Sequence, residues 1–434
     1  MTFRHDKHTE STVGTLAEQD HRIYFEYDQA WLNSGIELSP FKLPLKEGLF
    51  EHKDLSFGPL PGLFDDSLPD GWGLLLMDRH FRKKGINPAT LSPLERLSYV
   101  GMRAMGALAY NPSENYQLDQ KILDLHALGK NAEEVFRGDV AVVLPELERA
   151  GGSPGGARPK MLVGVRDDEM ISGETDLPEG FEHWLIKFAA QSEPYIEINQ
   201  ASQVEYAYAL MAKDAGINMP KAKLFHACNG KLKSLHFGVK RFDRDNERGL
   251  NKRRHLHTFG NLIHAFFRIP STDYADLFKL TRLLTRNHHE LLKLFRRMVF
   301  NITSHNRDDH AKNFSFMITG DDETTLPANL PANPTTNPTT NLTANSTWIL
   351  SPAYDLTFTH GIGGEHTMSV LGEGKNPTRA HCLALAEQFG ILKKQASGII
   401  DEVNQAVQYW PDFAEQAGCA KKISREIQVN HFML

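Results

Sequence analysis

The sequence predicts an α/β protein with at least two domains. Its 434 residues exceed the size at which a single hydrophobic core stops growing. Alternating segments such as HWLIKFA (183–189) are typical of strands, whereas HHELLKLFRRMVFNIT (288–303) repeats its apolar residues at helical spacing. We place an N-terminal mixed α/β domain at 1–140. The rest should divide into a part at 141–245 and a mainly helical part at 246–434.

Composition and charge narrow the class of protein. Hydrophobic residues make up 41% of the chain and charged residues 24%, as is typical of a water-soluble globular protein. The net charge of −6 argues against a surface built to coat nucleic acid or anionic lipid. The start, MTFRHDKHTE, is too polar for a signal peptide, and no apolar run approaches the roughly 20 residues of a membrane span. Three scattered cysteines fit a reducing compartment, so we expect a cytoplasmic protein.

One segment is of low complexity. Residues 321–347, DDETTLPANLPANPTTNPTTNLTANST, are rich in Pro, Asn and Thr and have no apolar periodicity. Such a segment buries too little apolar surface to offset the entropy lost on ordering. We therefore predict a flexible insertion, and catalysis would be affected only if it folds over a nearby site.

The segment NITSHNRDDHAKNFSFM (301–317) is unusually dense in charged and polar residues. It follows the predicted helix, and FSFMI after it alternates as a short strand. Beyond the insertion, TWILSPAYDL is predicted to be a strand that ends at Asp355. This order places Asp308 and Asn313 in one loop, five residues apart, with Asp355 on a neighbouring strand.

These three residues suit phosphoryl transfer to a hydroxyl. That reaction needs a carboxylate near the attacking oxygen and oxygen ligands that hold Mg²⁺ against the phosphates. For DDH taken alone, a solvated loop is the more common explanation. A transition-metal hydrolase using His305, Asp308 and His310 is a further alternative, although no HExxH spacing occurs. The assignment therefore needs support from elsewhere in the chain.

Upstream segments occur in the order that a kinase requires. GGSPGGARPKMLVGV (151–165) is glycine-rich, so its backbone amides can approach phosphates, and Arg158 and Lys160 would add positive charge. Lys187 lies within an apolar strand, where a snorkelling residue is the usual explanation. Glu205 lies near the start of a predicted helix. Its carboxylate would either interact favourably with the helix dipole or pair with Lys187.

Several long segments resemble the HipA family, the serine/threonine kinase toxins of bacterial HipA–HipB toxin–antitoxin pairs. The resemblance rests on segments in both predicted parts of the chain. In the N-terminal part these are FEYDQAWLNSGIELSPFKLPL (25–45), GPLPGLFDDSLPDGWGLLLMDR (58–79) and YVGMRAMGALAY (99–110). In the remainder they are SPGGARPK (153–160), VKRFDR (239–244), DDHAKNFSF (308–316) and LSPAYDL (350–356). The resemblance implies a two-lobed protein-kinase-like core, with a glycine-rich loop and hinge in 141–245 and a helical C-terminal lobe.

The resemblance also implies roles for individual residues. Asp308 matches the catalytic aspartate, Lys187 the nucleotide-binding lysine that assists catalysis, and Asn313 and Asp355 the Mg²⁺ ligands. Ser153 matches the serine that family members phosphorylate themselves, which should eject the glycine-rich loop and inhibit the enzyme. The full set that we assign to ATP binding is Ser153, Gly155, Gly156, Ala157, Arg158, Lys160, Lys187, Glu205, Arg241, Phe242, Asp243, His310 and Lys312.

Other polar residues are interpreted as structural. Asp309 should stabilise the loop that carries Asp308, and His310 should support its shape by hydrogen bonding. The same interpretation applies to the histidines around HLHTFGNLIHA, and to the carboxylates of DSLPDGWG as helix caps and turn residues at a domain junction. These residues are His255, His257, His264, Asp65, Asp66 and Asp70.

The function implied is ATP- and Mg²⁺-dependent phosphorylation of protein serine or threonine. By resemblance the target would be an aminoacyl-tRNA synthetase, and the outcome arrest of translation and growth. The partner would be a small HipB-type helix-turn-helix antitoxin that carries most of the operator DNA contact. Two alternatives remain: a nucleotide-binding co-repressor or scaffold without turnover, and an enzyme that transfers AMP from the same site.

Overall fold

The computed structural model describes residues 1–113, 121–139, 143–149, 155–188, 200–229, 232–319 and 347–434. It confirms the predicted α/β class. Ser153 and almost all of the 321–347 insertion lie outside the described residues. Among the described residues, no helix has the length and apolarity needed to cross a bilayer.

The N-terminal part contains two small antiparallel sheets, with strand orders β2-β1-β6 and β3-β4-β5. The strands are β1 (Thr2–Arg4), β2 (Glu10–Thr12), β3 (Gly14–Gln19), β4 (Arg22–Tyr27), β5 (Leu49–Glu51) and β6 (Leu108–Ala109). The helices are α1 (Gln29–Ser34), α2 (Gly62–Asp65), α3 (Gly71–Lys83) and α4 (Pro93–Val100), followed by α5 (Leu125–Arg137) and α6 (Pro145–Arg149).

The middle part is an antiparallel sheet of order β10-β11-β9-β7-β8, with the helix α7 packed on it. Its elements are β7 (Lys160–Arg166), β8 (Glu169–Ser172), β9 (Glu182–Lys187), α7 (Ala201–Asp214), β10 (Ala222–Asn229) and β11 (Leu232–Lys240). The strand β9 is central, and Val163 pairs with Trp184 while Val239 pairs with Leu185. Trp72 and Leu76 of α3 share an apolar cluster with this sheet, so the N-terminal part packs directly against it.

The C-terminal part is mainly helical, as predicted. After a short pair, β12 (Arg244–Asp245) and β13 (Lys252–Arg253), it holds a sheet of order β14-β15-β16 beside a large helical core. Its elements are β14 (Leu256–Thr258), α8 (Phe259–Ile263), α9 (Tyr274–Thr285), α10 (His288–Thr303), β15 (Ser315–Thr319), β16 (Thr347–Leu350), α11 (Arg379–Gln388), α12 (Lys393–Gln408), α13 (Trp410–Gln416) and α14 (Lys421–Gln428).

One predicted element is shorter than expected. The strand predicted to reach Asp355 ends at Leu350, so that prediction is wrong. The Ser351 amide still donates to Ser315 O at 2.8 Å, but the next amide on that side of the strand, that of Ala353, donates to Asn218 O at 2.8 Å and so leaves the ladder. The chain then turns away, and Asp355 adopts a left-handed backbone with φ of 57°.

Candidate active site

A cleft separates the five-stranded sheet from the C-terminal part. Its inner wall is apolar, because alternate side chains of β9 and β11 face it. Phe242 follows β11 and stacks on Tyr354 from the opposite side, with ring centres 5.9 Å apart. The apolar residues lining the cleft include Leu185, Met219, Phe237, Val239, Leu256 and Leu356. Such a slot suits a flat, largely apolar ring system.

One end of the cleft holds a buried network of charges. Lys187 Nζ lies 2.5 Å from Glu205 Oε1 and also bonds the Asp355 carboxylate. Arg158 donates to the other Glu205 oxygen at 2.6 Å and to Ser202 Oγ at 3.1 Å. Both oxygens of Glu205 are therefore used by cations, and the carboxylate is 2% exposed. Glu205 thus pairs with Lys187 and does not simply favour the dipole of α7.

Electrostatics keep this network ionised. Burial acts to lower the pKa of Lys187, but the carboxylates of Asp355 and Glu205 outweigh it and raise that pKa. The Lys187 ammonium in turn holds the pKa of Asp355 well below its usual range, against the opposing effect of burial. The two groups therefore stay charged at neutral pH.

The described part of the glycine-rich loop lies at the same end. Lys160 donates to the carbonyl oxygen of Gly155, and Gly156 also lines the cleft. Burial, followed by repulsion from Lys187, lowers the pKa of Lys160 to about 8. Ala157 is exposed and does not line the cleft. Arg158 does not line the cleft either, and its side chain forms an ion pair with Glu205.

The polar loop between α10 and β15 borders the cleft on the other side. Asn313 donates from Nδ2 to the Asp308 carbonyl oxygen at 2.7 Å, and the His310 side chain accepts from the Lys312 amide at 3.2 Å. His310, Lys312 and Asn313 line the cleft, whereas Asp308 is exposed at its rim. The spacing of five residues thus brings the two ends of this loop together.

Asp309 differs sharply from its neighbour, because it is 1% exposed. Its carboxylate accepts from Tyr274 OH at 2.7 Å and from the Thr367 amide at 2.9 Å, and lies 3.0 Å from His366 Nδ1. These bonds join the loop to α9 and to the segment around residue 367. Asp309 therefore anchors the loop and faces away from the cleft.

The segment that follows β11 carries a buried ion cluster. Asp243 accepts from Arg241 Nε at 2.9 Å and Arg244 Nη1 at 2.9 Å, and from the Gly106 amide at 2.8 Å. Arg244 also donates to Ala104 O at 2.9 Å. Asp243 thus connects this segment to the N-terminal part, and Arg241, Phe242 and Asp243 all line the cleft.

Sequence reasoning missed the N-terminal carboxylates that reach the cleft. Asp66 and Asp70 line it, and Asp65 Oδ2 lies 3.1 Å from Lys312 Nζ. Asp66 Oδ2 lies 2.5 Å from His257 Nδ1. Because these partners are nearly 200 or more positions apart in the chain, local patterns carry no signal for them.

The donor set fits a hard cation held partly by phosphates. Asn313 and Asp355 both line the cleft and provide amide and carboxylate oxygens, which are the type of ligand that Mg²⁺ prefers. Among the described ranges, no group of three or more His, Cys, Asp or Glu side chains is arranged to hold a metal ion. The His305, Asp308 and His310 alternative therefore gains no support.

The fold and this cleft define a kinase-like protein. Residues 8–111 match the family model of the HipA N-terminal domain, and residues 152–329 match that of the HipA-like C-terminal domain. The chain belongs to the HipA family, which confirms the resemblance seen in the sequence.

Known relatives agree at the level of the fold. A solved complex of the toxin–antitoxin proteins HipA and HipB from Shewanella oneidensis with operator DNA contains a chain similar to this one. The identity is 18%, the TM-score is 0.64, and the match covers 99% of this chain and 95% of that chain. A Haemophilus influenzae protein described as "Putative kinase" is 23% identical over 194 residues. That match covers 43% of this chain and 54% of the relative, so this chain spans about half of its length.

Proposed function

We propose that this protein is an ATP- and Mg²⁺-dependent kinase that phosphorylates serine or threonine in a protein. The observation that carries the proposal is the convergence of the Lys187–Glu205 pair, Asp355 and Asn313 on one cleft, with Asp308 at its rim. A structural ion pair alone would not require an adjacent pair of Mg²⁺-type ligands.

Each group has a chemical role in this reaction. Lys187 contacts the α- and β-phosphates, and Asn313 and Asp355 hold the Mg²⁺ that neutralises charge developing on the transferred group. Asp308 orients the substrate hydroxyl and accepts its proton. Its exposed position suits a hydroxyl that arrives on another protein.

The biological setting is proposed by family membership. The kinase would act as a toxin that arrests translation, with an aminoacyl-tRNA synthetase as its target and a HipB-type antitoxin as its partner. The Shewanella protein occurs in a complex with HipB and operator DNA, which supports that choice of partner. Self-inhibition by phosphorylation of Ser153 belongs to the same proposal.

Intact-mass analysis tests this function. Phosphatase-treated protein is incubated with ATP and Mg²⁺, beside Asp308→Asn and the matched control Asp401→Asn, which changes an exposed aspartate of α12. We expect the wild type and the control to gain phosphate at Ser153, and Asp308→Asn to gain none. Absence of any gain in wild-type protein that binds ATP would contradict the kinase assignment, and a gain of AMP would show nucleotide transfer.

A further inference from the structure

The connection between α2 and α3, residues 65–71, reaches from the N-terminal part to the end of the cleft that holds the buried network of charges. We call it the α2–α3 junction. At its start, Asp65 Oδ2 lies 3.1 Å from Lys312 Nζ and accepts from Asn261 Nδ2 at 3.0 Å. The Lys312 ammonium also lies 4.9 Å from the centre of the Phe267 ring. A carboxylate and an aromatic face thus hold this ammonium in one place.

The other end of the junction binds the glycine-rich loop. The Gly156 amide donates to Asp70 Oδ1, and the Trp72 amide returns a bond to Gly156 O at 3.1 Å. The Trp72 indole donates to Lys160 O at 3.0 Å. Backbone and side-chain bonds therefore fix the glycine-rich loop against the start of α3 at Gly156 and at Lys160, which lie four residues apart.

The two backbones approach so closely that only glycine fits. Gly71 has a φ of +44°, and a Cβ there would lie 2.7 Å from Gly156 O. Gly156 has a φ of +107°, and a Cβ there would lie 2.5 Å from Lys160 Nζ. The first contact is with backbone and cannot be relieved by a side-chain movement, so the close approach depends on glycine at Gly71. At Gly156 glycine is favoured by the positive φ, since the atom that its Cβ would meet is the end of a flexible lysine side chain.

We propose that the α2–α3 junction is part of the phosphate-handling machinery, with Asp65 positioning Lys312 and Asp70 positioning the glycine-rich loop. This inference rests on the proposed kinase function and assigns to the N-terminal part a positioning role in the reaction. Asp65 and Asp70 act through Lys312 and the loop and do not touch the nucleotide themselves.

The two positioning roles should affect different constants: the contact with Lys312 should affect kcat, and the contact with the glycine-rich loop should affect nucleotide affinity. Lys312 lies beside Asn313, where it would stabilise the transferred phosphoryl group, so loss of its partner should lower kcat more than it raises KM. The glycine-rich loop covers the bound nucleotide, so displacing it should weaken nucleotide binding. Losing one charge-assisted bond corresponds to a change of about tenfold.

The test compares two matched pairs of variants. Asp65→Asn is paired with Asp78→Asn, because the side chains of Asp65 and Asp78 are 26% and 25% exposed and each forms an ion pair. Gly71→Ala is paired with Gly85→Ala, since Gly85 has a φ of +77° but nothing lies within 4 Å of its added Cβ. Steady-state transfer gives kcat and KM, and calorimetry gives the Kd for Mg-ATP without requiring turnover.

We expect Asp65→Asn to lower kcat about tenfold with KM for ATP nearly unchanged, and Gly71→Ala to raise the Kd for Mg-ATP about tenfold. Both controls should match the wild type. The inference fails if Asp65→Asn behaves like Asp78→Asn or Gly71→Ala binds like Gly85→Ala. If the wild type binds Mg-ATP without transferring phosphate, the proposed kinase function is wrong. The Kd values of Gly71→Ala and Gly85→Ala for Mg-ATP then still test the role of the junction. If Gly71→Ala does not fold, the inference is still tested by Asp65→Asn, because that substitution is nearly isosteric.

Discussion

At the scale of single residues, two buried lysines at the charged end of the cleft differ in the direction in which their pKa values are shifted. Lys187 contacts two carboxylates, which raise its pKa despite burial. Lys160 contacts the carbonyl of Gly155, and burial together with the neighbouring Lys187 lowers its pKa to about 8. Lys160 is therefore the lysine whose charge changes near neutral pH.

Mg-ATP affinity should fall as the pH rises through about 8, because Lys160 then loses the positive charge that attracts phosphate. Bound phosphates would raise the pKa of Lys160, so binding near that pH should take up a proton. Calorimetry in buffers of different ionisation enthalpy measures both effects. In Lys160→Met the affinity should be lower and this pH dependence should disappear. An unchanged pH dependence in that variant would assign the titration to another group.

At the scale of elements, the loop between α10 and β15 places two adjacent aspartates in opposite environments. Asp308 is exposed beside the cleft, while Asp309 is buried and joins the loop to α9 and to the segment around residue 367. The loop exposes one aspartate and buries its neighbour, so it can serve both purposes.

This contrast predicts a separation of activity from stability. Asp308→Asn should abolish phosphoryl transfer and change the free energy of unfolding by less than about 0.5 kcal/mol, since the side chain is exposed. Asp309→Asn should lower the free energy of unfolding by about 2–3 kcal/mol, because its amide cannot accept all the bonds that the carboxylate accepts. Urea unfolding of both variants measures the difference, and equal stability would contradict these assignments.

The sequence predicted those elements whose signals are local. The apolar spacing of 288–303 coincides with α10, and HWLIKFA overlaps all of β9 except its first residue. The kinase-like order of motifs also led to Lys187 and Glu205, which the structure joins at 2.5 Å. Asp65 and Asp70 were interpreted as structural because their partners, Lys312 and Gly156, are distant in the chain. The end of β16 was missed because the Ala353 amide bonds Asn218, a partner distant in the chain, while the local pattern continues to alternate.

At the scale of the whole molecule, buried polar contacts join the N-terminal part to the kinase-like core. The central one is Asp243, which binds Arg241, Arg244 and the Gly106 amide. Burial alone would raise the pKa of Asp243, but the two guanidinium groups outweigh it and hold that pKa well below its usual range. The segment that follows β11 at the edge of the cleft is thus attached to a separate part of the chain.

Asp243→Asn should lower the free energy of unfolding by about 3–5 kcal/mol at neutral pH, because it leaves two buried arginines without their carboxylate. The folded pKa of Asp243 is depressed, so the stabilisation is fully present above the ordinary value of 3.8 and is lost as the pH falls further. Urea unfolding should therefore show the two proteins converging in acid. Asp245→Asn, a partly exposed neighbour, is the control. A difference that stays constant into acid would contradict the electrostatic explanation.

Transfer of label from ATP tests the central claim most directly. Wild-type protein and Asp308→Asn are incubated with Mg²⁺ and ATP labelled either at the γ- or at the α-phosphate, after calorimetry has shown equal nucleotide affinity. We predict that the wild type transfers only the γ label to protein, and that Asp308→Asn transfers neither. Transfer of the α label, or no transfer by wild-type protein that binds ATP, would contradict the account.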